Sequence, residues 1–90
     1  MASDHSPELL EFPCEFPLKV MGRAVDEFEM TVQEIVSRHV EGLDTSDFAS
    51  RLSSGGKYVS VTVVFEASSR AQLDALYVEL TAHEKILMVL

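Results

Sequence analysis

The residues of this chain that could do chemistry are its three histidines, its one cysteine and a Gly–Arg step. A zinc site would need His5, His39 and His83, with Cys14 or carboxylates, at a spacing that lets them close a tetrahedron. They fall in separate stretches with no such spacing, so neither a metal nor a cofactor is expected. Cys14 has no CxxC partner and sits on an apolar row, where a thiol is expected to be buried and inert. No Ser/His/Asp arrangement has a recognisable local signature. Gly55-Gly56 stands between two strand-like runs, not before a helix, so it is not a phosphate loop. The expectation is a protein without catalysis. The stretch with most promise as a ligand site is Met21-Gly22-Arg23-Ala24, read as the loop from a first strand into a first helix. Gly22 permits close backbone approach, Arg23 can fork onto a carboxylate, and a helix N-terminus behind them favours an anion. Against this stands Asp26, which can occupy the helix start as a cap.

The composition narrows the partners. The chain has 90 residues and a formal net charge of -8, so one domain is expected. Unspecific binding to nucleic acid or anionic lipid, which needs clustered Lys and Arg, is excluded. No apolar run approaches the ~20 residues of a membrane span, and MASDHSPELL has no basic and apolar stretches of a secretory signal. With a single cysteine, the expected home is a reducing cytoplasm.

The elements that must position these residues are organised around Tyr58–Ala67. Val59, Val61, Val63, Phe65 and Ala67 form an apolar row, alternating with Tyr58, Ser60, Thr62, Val64 and Glu66. That period marks a central strand with one face buried. Residues 1–13 are expected to form an appendage. In it Ser6-Pro7-Glu8 starts a helical turn, and Leu9, Leu10 and Phe12 form a lid. Residues 14–90 are expected to form the domain. Cys14–Gly22 alternates as a first strand. Val25–Val40 carries the helical stripe Phe28, Val32, Ile35, Val36, His39, with an Asp26/Glu29 capping box, a Val25/Met30 staple and a Glu34–Arg38 pair. Phe48, Ser50 and Leu52 alternate in a short edge strand, and Gly55-Gly56 turns into the central strand. Ser69–Glu84 is a second helix, capped by Ser69 with Gln72 and striped by Leu73, Leu76, Tyr77 and Leu80. Lys85–Leu90 closes the chain as a last strand. The order β-α-β-β-α-β, with right-handed crossovers, predicts an α+β ferredoxin-like sandwich. Its antiparallel sheet runs 4-1-3-2, with both helices on one face.

LLEFPCEFPLKVMG, Arg38-His39, the glycine turn before SVTV, LYVEL and the terminal MVL together resemble the YbeD-like family of small bacterial proteins, over Leu9–Leu90. The resemblance implies a ferredoxin-like fold similar to ACT regulatory domains; the family itself is one of unknown function and brings no activity. ACT-like domains bind amino acids near the loop after the first strand, which places an amino-acid-like ligand at Met21–Ala24.

Two functions remain in view. The first is a non-enzymatic ACT-like regulatory module that senses a small metabolite or modulates a partner protein. The second is a structural adaptor that uses the open sheet face or an edge strand. The open face is expected to carry Glu15, Lys19, Met21, Tyr58, Ser60, Thr62 and Glu66. One aromatic and two acids are a poor RNA platform. Pro17, Met21, Val64, Leu87 and Val89 leave apolar area uncovered there, and a small domain rarely exposes such a patch unused, so a homodimer is the expected assembly.

Overall fold

The alternating row Val59, Val61, Val63, Phe65, Ala67 is buried from end to end, and its companions lie exposed or half-buried. It forms the centre of a computed structural model that describes residues 11–90. The elements are β1 (Cys14–Arg23), α1 (Phe28–His39), β2 (Phe48–Leu52), β3 (Tyr58–Ala67), α2 (Arg70–Ala82) and β4 (Ile86–Val89). A short 3-10 turn, Thr45–Asp47, leads into β2. The sheet runs β2-β3-β1-β4, antiparallel at every junction. This is the expected order read from the other edge. The expected turn at Ser6–Glu8 and the lid residues Leu9 and Leu10 lie outside the described residues. Phe12 packs against the core, half-buried.

Register fixes what each face holds. β1 and β3 pair from Cys14↔Ala67 to Arg23↔Tyr58 without a break. Leu18 and Val20 therefore join Val61 and Val63 under the helices, while Glu15, Pro17, Lys19 and Met21 join Glu66, Val64, Thr62 and Ser60 on the opposite face. Phe28, Val32, Ile35 and Val36 of α1 and Leu73, Leu76 and Leu80 of α2 close over the first set. No polar side chain is buried in this core among the described residues.

α1 begins later than its sequence pattern suggests. Ala24 N–H donates to the Lys57 carbonyl at 2.8 Å, and Val25 N–H to the Arg23 carbonyl at 2.8 Å. The chain is thus still tied to the end of the sheet at Val25 and cannot take up helical geometry until Phe28. Glu27 occupies the cap position with φ 74 and no side-chain cap bond, so the expected Asp26/Glu29 capping box does not form. Val25 and Met30 are both exposed instead of stapled together.

α2 does take its predicted cap. Ser69 Oγ accepts the Gln72 N–H at 3.0 Å. Gln72 in turn accepts from Ser68 N–H at 2.7 Å and donates to the His39 carbonyl at 2.8 Å. One side chain therefore serves the start of α2 and the end of α1 together, satisfying groups that helix termini leave unpaired. Ser69→Ala is expected to cost about 1 kcal/mol, read as a lower urea midpoint with an unchanged slope.

Candidate functional site: the open face of the sheet

The four residues expected to make a ligand loop do not form one. Met21, Gly22 and Arg23 belong to β1, and only Ala24 lies beyond it. Gly22 is buried and faces the helices. A Cβ built there would lie 2.3 Å from Phe28 Cε1 and 2.5 Å from the Lys85 carbonyl oxygen. The close approach that glycine allows is thus made by the protein's own ring. Ala24 also packs toward the core, while Met21 and Arg23 turn to the other face. At the start of α1, Asp26, Glu27 and Glu29 are all exposed. Three carboxylates there oppose an anion at that terminus, whatever its unpaired N–H groups offer.

Among the described residues, nothing covers the face away from the helices. Across the strands it reads in rows: Glu66–Glu15, Val64–Pro17, then Ala49–Thr62–Lys19, then Arg51–Ser60–Met21–Met88, and Tyr58–Arg23. Leu90 exchanges both backbone hydrogen bonds with Lys19, at 2.8 and 3.2 Å, which puts it beside Lys19 in the third row. Val64, Met88 and Leu90 are 47%, 50% and 61% exposed. Two of the residues expected here are placed differently. Val89 pairs with Val20 and so faces the core, where it packs. A register shift between Met21 and Gly22 leaves Leu87 exposed at the irregularity, and Met88 takes the position on the open face. At the opposite end, Glu15 and Glu66 are directly paired like charges, an arrangement that costs stability unless something neutralises it.

Comparison with other proteins places the chain among relatives. A family described as "Protein of unknown function (DUF493)" matches residues 7–90. The chain belongs to that family. A UPF0250 protein of Chromobacterium violaceum is 49% identical over 88 residues, which is 98% of this chain and 99% of that one. A UPF0250 protein of Neisseria gonorrhoeae is 41% identical over 87 residues, 97% of this chain and 96% of that one. The solution structure of protein HP0495 from H. pylori superposes with a TM-score of 0.67 at 18% identity, covering 100% of this chain and 94% of that one. At that identity the likeness carries the fold alone. The DUF493 match bears out the family expected from the LEFP, KVMG and Arg38-His39 segments.

Those last two residues anchor a polar cluster on the helix side. Arg38 does not pair with Glu34 along α1; it reaches across to Glu79 of α2. His39 Nε2 meets the other oxygen of the same carboxylate at 2.7 Å. The Arg38 guanidinium first, and the His39 ring second, hold the Glu79 carboxyl below the usual carboxylate range. A lowered carboxyl pKa contributes stability above its unfolded value and loses it as the pH falls. Both members of the Arg38–Glu79 pair are solvent-accessible, so the contribution is small. The cluster ties α1 to α2. The other described histidine, His83, stands at the C-terminal cap of α2, where its Nδ1 accepts the Lys85 N–H at 3.2 Å. Cys14 is half-buried on the helix side, opposite Ala67.

Proposed function

We propose that this chain is a non-enzymatic, ACT-like regulatory module that works by assembling through the uncovered face of its sheet, with a second copy as the contact it makes on its own. One observation supports this reading above the others: a face that no helix covers among the described residues still presents Pro17, Met21, Val64, Met88 and Leu90. Apolar side chains in a contiguous surface patch usually serve contact. Charge complementarity favours a second copy. The Pro17–Val64 row lies midway between Glu15–Glu66 and Lys19–Thr62. A twofold axis through that row, in the plane of contact and across the strands, lays Glu15 of one copy on Lys19 of the other. The same contact relieves the Glu15–Glu66 repulsion.

Sedimentation equilibrium tests it. The wild type is expected to associate weakly as its concentration rises, and Val64→Glu, which adds a like charge at the centre of the contact without touching the core, is expected to stay monomeric. A wild type that remains monomeric throughout overturns the reading.

A further inference from the structure

The chain carries 15 acidic side chains and 7 basic ones, so a depression lined by two cations and no acidic side chain is out of keeping with its surface. One such depression is found among the described residues. A shallow depression of about 460 Å³ on the open face, at its β2–β3 end, is lined by Lys19, Met21, Arg51, Ser53, Tyr58 and Ser60 among others, none of them acidic. Two of the other arginines find partners, Arg38 with Glu79 and Arg70 with Asp74, while Arg23 has none among the described residues. Neither Lys19 nor Arg51 has an ion pair among the described residues.

Register brings the two cations together. Arg51 stands opposite Ser60 from the β2 side, and Lys19 opposite Thr62 from the β1 side. They therefore flank β3 from both sides, two positions apart along it. Two strand spacings of ~4.8 Å and two residues of ~3.4 Å separate their Cα atoms by roughly 12 Å, a span that two long side chains can close over Ser60. Hydroxyls line the same ground. Ser53 Oγ accepts the Tyr58 N–H at 3.2 Å, which leaves its own O–H to donate. The Tyr58 ring and the Met21 side chain supply an apolar wall.

We propose that this depression is a binding site for a small oxyanion, a carboxylate or a phosphate carried on an apolar or aromatic body. Arg51 would take two oxygens through its planar fork, Lys19 would add a point charge, and the Ser53 and Ser60 hydroxyls would donate. The ring of Tyr58 and Met21 would hold the apolar body. Two cations are too few, in a chain of net charge -8, to hold a nucleic-acid backbone. The site stands independently of self-association. It also bears on that reading, because Glu15 of a second copy would meet the same Lys19, so an occupied site and a closed dimer compete.

The test is an NMR titration of dilute, isotope-labelled protein with benzoate and phenyl phosphate, against acetate and inorganic phosphate at matched ionic strength. Saturable shifts are expected at Lys19, Met21, Arg51, Tyr58 and Ser60, tighter for the aromatic member of each pair. Arg51→Gln and Lys19→Gln should each weaken binding about tenfold, the scale of a lost charged hydrogen bond, with spectra otherwise like the wild type. Whichever of benzoate and phenyl phosphate binds tighter names the oxyanion. Shifts that never saturate, that spread equally to Lys57 and Lys85, that centre on Gly22–Glu27, or that survive both substitutions would each overturn the site. The dilute condition keeps this outcome separate from the sedimentation result.

Discussion

Val61→Asp or Val63→Asp abolishes cooperative folding. These side chains are 1% and 2% exposed and sit at the middle of the sheet. Val61 faces Val20 on one side and Ser50 on the other; Val63 faces Leu18 and Phe48. No buried polar side chain among the described residues is there to meet a carboxylate, and Ser50 lies exposed on the edge strand. Burying it unpaired, or holding it protonated, costs several kcal/mol. A domain of this size has about 5–10 kcal/mol in total, and the lost valine packing adds to the deficit. The expected readout is loss of amide dispersion and of any sharp thermal transition at neutral pH. Partial recovery is expected in acid, because burial raises the pKa of the introduced Asp and protonation removes its charge. Val64→Asp, one residue along on the opposite face, should keep a cooperative melt. A near-native melting temperature for the core variants would mean that the faces of β3 are reversed.

Gly22→Ala is the second large effect. Its Cβ would fall 2.3 Å from Phe28 Cε1 and 2.5 Å from the Lys85 carbonyl oxygen. The ring could turn aside only into other core side chains. The carbonyl belongs to backbone leading into β4, where Ile86 pairs with Gly22 itself. With both neighbours constrained, the overpacking should cost about 2–3 kcal/mol, seen as a lower urea midpoint. Gly55→Ala is the control: nothing lies within 4 Å of its added Cβ, so its stability should match the wild type. Equal stability for the Gly22 variant would show that α1 is not seated on β1 in this way.

The sheet was legible in the sequence because its signals are local. The alternation along Tyr58–Ala67 gives strand and face at once, and the Ser69/Gln72 spacing marks the α2 cap that forms. Gly22 was legible only as a glycine. Its reason is the Phe28 ring, six positions on and in another element, so a close packing contact reads like a loop. β4 offered no alternation to read: Ile86 to Leu90 is apolar throughout, and the register shift beside Gly22 decides that Met88 faces outward while Val89 faces the core. Arg38 reads naturally as a partner for Glu34 one turn away, whereas its bond to Glu79 depends on how the two helices cross. The Lys19–Arg51 pair is likewise invisible in sequence, because it exists only once β1, β3 and β2 are in register.

Whether the open face is the working surface is tested most directly by the amide spectrum as a function of protein concentration. The predicted result is a set of shifts confined to Glu15–Met21 of β1, to Thr62–Glu66 of β3 and to Met88–Leu90, absent in Val64→Glu. Shifts on the outer surfaces of α1 and α2, or none at the highest concentration, would contradict it.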